Sequence, residues 1–83
     1  MKFYVYIIGS KNNSKLITYV GYTKSLKKRL CLHNMGKGAK FTRGRKWRII
    51  YSEKCESKRI AMKREYMIKK DRKFRDSIKN ERI

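Results

Sequence analysis

Three tyrosines have the type and spacing to act on a polar bond. Tyr4 and Tyr6 stand two residues apart, so in an extended strand they share one face. Tyr19 follows in a second apolar run. A phenol in a positively charged setting loses its proton more readily, because the charge favours the phenolate. It could then serve as a general base or a nucleophile. Tyrosines are also ordinary sheet-face residues, and local sequence does not separate the two uses. His33 is the only histidine, and Arg29 precedes it by four residues, which makes them neighbours on a helix surface. The guanidinium would depress the pKa of His33 and favour its neutral, proton-accepting form. Arg29 itself suits bidentate contact with phosphate.

Glu65 is the most informative acid. At ~3.6 residues per turn it falls about 40° from Ala61 and about 60° from Ile68 in projection, on or beside an apolar stripe. An inward carboxylate is costly unless paired or metal-bound. It therefore either pairs with a nearby Lys or Arg, or is the protein's ligand to a divalent cation completed by phosphate oxygens and water. Magnesium is often held in that way. The run from Lys37 to Trp47 interleaves Lys37, Lys40, Arg43 and Arg45 with Phe41 and Trp47. Such a segment can track a phosphate backbone and stack on bases; in the plainer reading it is a solvated loop with core-anchoring aromatics. It lacks the spacing of a Walker loop.

The balance of charge points the same way. The chain has 83 residues with 25 Lys and Arg against 6 Asp and Glu, a net charge of +19. All six acids lie after residue 52, and the first 52 residues hold 13 cations. That half needs counterions or a polyanion, and counterion release from phosphates is the usual source of binding energy for such a surface. An anionic membrane surface is the rival partner. The run Phe3 to Ile8 is too brief to span a bilayer, so no membrane insertion is expected and the cytoplasm is the expected location. Cys31 and Cys55 read as reduced thiols, and two Cys with one His make no four-ligand zinc site by themselves. At 40% hydrophobic and 12% aromatic residues with no proline, the chain reads as one folded domain over residues 1–83, with a core at about 3–75. A second domain does not fit this length.

The elements that must position these side chains follow from pattern. Residues 3–8 read as a strand buried on both faces. Residues 9–14 are a turn cluster. Residues 16–22 read as a second strand, so the two form an antiparallel hairpin. Thr23 is the expected N-cap of a helix through Met35, with Gly36 as its stop. An exposed loop covers 36–46, a third strand 47–52, and a helix runs from about 56 or 57 to 70. Asp71 caps a last helix at 72–80. The fold class is α+β: a small three-stranded antiparallel or mixed sheet flanked by helices, in the order β-β-α-β-α-α.

Together these residues resemble the GIY-YIG nuclease superfamily, in its minimal single-domain bacterial (UPF0213-like) subgroup. The first hallmark stands as Tyr4-Val5-Tyr6 and the second as Tyr19-Val20-Gly21. Gly21-Tyr22-Thr23, Lys28-Arg29-Leu30, His33-Asn34, the run from Gly36 to Arg45, and Lys63-Arg64-Glu65 with Ile68-Lys69-Lys70 follow in order. The resemblance covers about residues 3–75 and implies the same element order. It implies a Mg2+- or Mn2+-dependent endonuclease cutting DNA, structure-selective or single-strand-selective rather than sequence-specific, with DNA repair among its roles. Residue by residue, it implies Tyr6 as general base toward water and Tyr19 as a second tyrosine lining the site. Arg29 would stabilise phosphorane-like charge, His33 would hydrogen-bond a tyrosine and help take its proton, and Glu65 would be the metal ligand. Lys37, Lys40, Arg43, Arg45 and Lys63 are the expected nucleic-acid contacts. The late asparagine found in many larger members has no convincing match; Asn80 is the only late one. The alternative is a basic DNA- or RNA-binding module that keeps the fold without cutting.

Overall fold

In the computed structural model, which describes residues 2–82, six elements follow in chain order. They are β1 (Phe3–Asn12), β2 (Lys15–Thr23), α1 (Leu26–Asn34), β3 (Arg48–Cys55), α2 (Lys58–Lys70) and α3 (Arg72–Arg82). Met1 and Ile83, the ends of the expected domain, lie outside the described residues. The sheet order is β2-β1-β3, antiparallel throughout, so the expected α+β class and element order hold.

β1 is the central strand, and its alternation divides the core. Phe3, Val5 and Ile7 face one side, with Leu16, Val20, Ile50 and Cys55 from the other strands and Ala61, Ile68 and Ile78 from α2 and α3. Tyr6 and Ile8 face the other side, packed with Trp47 and with Leu26 and Leu30 of α1. Burial on both faces is what the unbroken apolar run of β1 requires. The sheet thus carries α2 and α3 on one face and α1 with its following loop on the other.

Several boundaries differ from the sequence reading. The hairpin turn is only Asn13-Ser14, and Gly9 and Ser10 belong to β1. Asn13 takes a left-handed φ of 61°, a conformation that Asn tolerates, so a tight turn suffices. Thr23 is not the cap of α1. It is the last residue of β2, paired with Tyr4, and Ser25 is the N-cap, its side chain accepting from Lys28 N–H. Thr23 still helps the turn, since its Oγ1 accepts from Ser25 N–H. β3 starts one residue later and runs three residues further than expected, to the buried Cys55. Ser57 caps α2, and Asp71 accepts from Phe74 N–H at the start of α3.

The 36–46 loop is less free than its composition suggests. Asn34 Oδ1 accepts from Trp47 N–H at 2.6 Å, and Asn34 Nδ2 donates to Trp47 C=O at 3.1 Å. These two bonds close the loop by tying the end of α1 to the start of β3. Trp47 Nε1 donates to Thr42 C=O at 2.8 Å, which satisfies a buried indole. Trp47 is therefore a core anchor, unavailable for stacking on bases. Phe41 stays exposed and stacks on Tyr19 at 6.1 Å between centroids.

Candidate active site

At the open end of the hairpin a cleft of about 510 Å³ is lined by Tyr6, Tyr19, Arg29 and Glu65, together with Gly21 and Lys58. Its parts come from four elements. Tyr6 belongs to β1, Tyr19 and Gly21 to β2, Arg29 to α1, and Lys58 and Glu65 to α2. Glu65 and Lys58 are seven residues apart, which puts them on one face of α2.

Gly21 pairs with Tyr6 across the hairpin, so any side chain at 21 would share a face with the tyrosine. A methyl at Gly21 would stand 2.6 Å from Tyr6 Cζ. The glycine is required by this close approach: it lets the Tyr6 ring cross β2 and present its hydroxyl at the cleft.

His33 is 1% exposed and sits behind Tyr6. Tyr6 Oη and His33 Nε2 are 2.8 Å apart, and His33 Nδ1 and Thr42 Oγ1 are 2.9 Å apart. Thr42 fixes the direction of this chain. Its hydroxyl has one proton and donates to Ala39 C=O at 3.0 Å, while accepting from Ala39 N–H at 3.2 Å. Nδ1 must then carry the proton and donate to Thr42. Nε2 is left bare and accepts from the Tyr6 hydroxyl. Burial, and after it Arg29, hold the His33 pKa below the usual histidine value, so the imidazole is neutral at neutral pH.

Tyr6 behaves contrary to the expectation of an easily ionised phenol. Burial pushes its pKa well above the usual tyrosine value. The guanidinium of Arg29 works against that and loses, while Tyr19 and Glu65 raise it further. The reason is that a 2% exposed phenol loses the water that would solvate its anion. Tyr6 is therefore a neutral phenol hydrogen-bonded to a neutral imidazole. As a base it can act only by passing its own proton to His33 while taking another.

Glu65 is partly buried and is 3.6 Å from Lys69 Nζ, one helical turn on. That separation is longer than a charge-assisted hydrogen bond, so the carboxylate is not consumed by its partner. One hard oxygen ligand facing a cationic cleft fits a divalent cation whose other ligands are phosphate and water. No group of three or more His, Cys, Asp or Glu capable of holding a metal exists among the described residues.

The other expected contacts are scattered. Lys37, Lys40 and Arg43 are exposed along the loop, and Arg45 is half-buried. Lys63 is exposed on α2 in a patch with Arg59 and Met62 that does not itself line the Tyr6 cleft but shares Lys58 with it. Sequence reasoning missed Lys58, Lys24 and Thr42. The first two line the cleft, and only their place in a basic chain hinted at them. Thr42 is completely buried. Its one signal was a small hydroxyl between Phe41 and Arg43 in an otherwise cationic loop. Gly38 carries a second signal: a methyl there would lie 2.8 Å from His33 Cε1 and Cγ, and nearer still to Nδ1. The loop from Gly38 to Thr42 is thus the back wall of the histidine.

Residues 2–79 match the GIY-YIG catalytic domain. A UPF0213 protein of Staphylococcus haemolyticus is 48% identical over 69 residues, covering 82% of this chain and 80% of its own. One from Clostridium perfringens is 50% identical over 68 residues, covering 81% of this chain and 70% of its own. The solution structure of the UPF0213 protein BH0048 from Bacillus halodurans is 36% identical, with a TM-score of 0.55, covering 96% of this chain and 84% of that one. Among the described residues no helix is long and apolar enough to cross a membrane. With the hairpin tyrosines, the helix arginine and the α2 glutamate around one cleft, and nearly its whole length matched, the chain belongs to the GIY-YIG nuclease family, alongside the UPF0213 proteins.

Proposed function

We propose that the protein is a divalent-metal-dependent endonuclease that hydrolyses phosphodiester bonds of DNA in the Tyr6–Arg29–Glu65 cleft. The observation that carries this is the convergence of a phenol–imidazole pair, a guanidinium and one carboxylate on the same cavity. A module that only binds nucleic acid has no use for a carboxylate lining a cationic cleft.

In this reading Arg29 contacts the scissile phosphate and stabilises the charge that builds on it. Tyr6 accepts a proton from the attacking water while its own proton moves to His33 Nε2. Thr42 keeps Nδ1–H engaged, so the imidazolium that forms is hydrogen-bonded at both nitrogens. Tyr19 lines the cleft beside the phosphate. Mg2+ or Mn2+ held by Glu65 would supply further stabilisation of transition-state charge. Lys37, Lys40, Arg43, Arg45 and Lys63 contact backbone phosphates, which position a strand but carry no sequence information. Cutting is accordingly set by DNA structure or strandedness. A cytoplasmic role such as DNA repair belongs to the same proposal.

The test incubates purified protein with labelled single-stranded, duplex and flap DNA, in Mg2+, Mn2+ or EDTA. Product that needs metal and disappears in Glu65→Ala supports the proposal. Salt-sensitive binding without product under any metal would refute it and leave a basic binding module.

A further inference from the structure

A second cavity, about 600 Å³, lies at the opposite end of β1, by the hairpin turn. Its rim carries Lys11, Arg45, Lys46 and Arg48, and its floor includes Ser10 and Trp47. The cavity exists because the sheet ends unevenly. β1 stays paired to β2 as far as Asn12–Lys15, but its pairing with β3 stops at Gly9–Arg48. The last residues of β1 therefore border a notch instead of a third strand. The 36–47 loop, turning at Gly44 with φ of 74°, forms the other side.

None of these four cations forms an ion pair among the described residues. Among the carboxylates whose side chains the structure describes, Glu53 pairs with Arg64, Glu56 with Lys2 and Asp76 with Arg72, Asp71 caps α3, and Glu65 lines the Tyr6 cleft. Four like charges around one concave surface, with no acid on its lining, attract an anion with several oxygens.

Two features identify that anion. Ser10 and Tyr6 are four residues apart on one strand, so they share a face and lie about 13 Å apart at ~3.3 Å per residue. The same loop serves both cavities: its Gly38–Thr42 part backs His33, and its Gly44–Trp47 part lines the notch. Lys40 and Arg43 are exposed along it. A chain of phosphates can follow this path from one cavity to the other, whereas a single headgroup or free phosphate would use only one. We infer that the turn-end notch binds a backbone phosphate of the DNA strand held at the Tyr6 cleft, about four stacked nucleotides from the scissile bond at ~3.4 Å per nucleotide. The inference rests on the nuclease reading for the identity of the strand, and it adds a separate anchoring site.

The test uses the full chain in EDTA, so that nothing is cut. A single-stranded oligonucleotide long enough to reach both cavities is titrated while backbone amide resonances are followed. The Gly9 and Gly44 amides should shift along with that of Gly21. A Lys11→Gln, Arg48→Gln double variant, altered only at exposed side chains, should keep the wild-type amide spectrum and lose the one notch phosphate contact. At a slope of about 0.7 per contact its affinity should fall about 5-fold at 0.1 M salt. Strands trimmed on the notch side to fewer than about four nucleotides should lose the same increment. Shifts confined to the Tyr6 cleft, with the double variant binding as tightly as wild type, would overturn the inference. So would vesicles of anionic phospholipid moving the Gly9 and Gly44 amides where the oligonucleotide does not. Binding in the notch by a protein that never cuts DNA in Mg2+ would refute the nuclease reading and leave the notch standing. Cleavage with a silent notch would do the reverse.

Discussion

Replacing Gly38 by alanine should uncouple His33 from its proton-accepting state. A methyl at 38 would lie 2.8 Å from two ring carbons of His33, whereas carbon contacts settle at ~3.5–4.0 Å. Ring or loop must therefore give way by about 1 Å. The ring has little room, being 1% exposed and hydrogen-bonded at both nitrogens. Overpacking of this kind costs ~1–3 kcal/mol, and each kcal/mol lowers Tm by about 4–8 °C in a domain of this size. A ~1 Å displacement at a reacting group costs about 10²-fold in rate. Gly36→Ala supplies the contrast. At φ of 79° with nothing within 4 Å of the added methyl, it should cost ~1–2 kcal/mol of backbone strain and leave cleavage per folded molecule unchanged. The assay pairs cleavage of a labelled oligonucleotide in Mg2+ with urea unfolding and the ring nitrogen resonances of His33. Gly38→Ala that is folded, cuts at the wild-type rate and keeps the wild-type His33 nitrogen signals would refute the idea that the loop wall sets the histidine.

Thr42→Val preserves shape but removes the acceptor for Nδ1–H; we expect a loss of ~1–3 kcal/mol in urea unfolding and a mixture of His33 tautomers by nitrogen NMR, with unchanged tautomer signals counting against the assignment. Tyr6→Phe should bind DNA normally and cut it about 10²–10⁴-fold more slowly; full activity would exclude the tyrosine as base. Because the folded His33 pKa lies below its unfolded value of about 6.5, the unfolded chain binds more protons between the two, so stability should fall as pH drops through that window, by up to ~1.4 kcal/mol per pH unit from this group. The same slope should be missing in His33→Gln, measured by thermal unfolding across the acid range.

The strands and helices were legible because apolar runs and their periods reported burial directly. Phe3 to Ile8 is a buried strand because both its faces are covered. The misread boundaries have local causes. Gly9 and Ser10 look like turn residues, but here the glycine makes room for Leu16 and Ile50, 3.2 Å from where its Cβ would be. Thr23 and Ser25 are both good caps, and strand pairing with Tyr4 decided between them. At the site, residue identity revealed the reactive groups but not their protonation. Tyr6 sits near cations, and sequence alone suggests a lowered pKa; burial reverses the sign, and burial depends on how α1 and the loop close over β1. Thr42 was hidden for the same reason, since its role exists only once the loop folds back on His33.

Among the described residues the strand order leaves β2 and β3 each with one unpaired border, a standing invitation for copies of the chain to join edge to edge. Lys15 on one border and Arg48 and Lys54 on the other make such joining a meeting of like charges, reinforced by the overall excess of cations. This safeguard is only as durable as the imbalance behind it. When a polyanion cancels the charge, the borders lose their guard, and crowding on saturated nucleic acid becomes the condition under which the protein is most prone to clump.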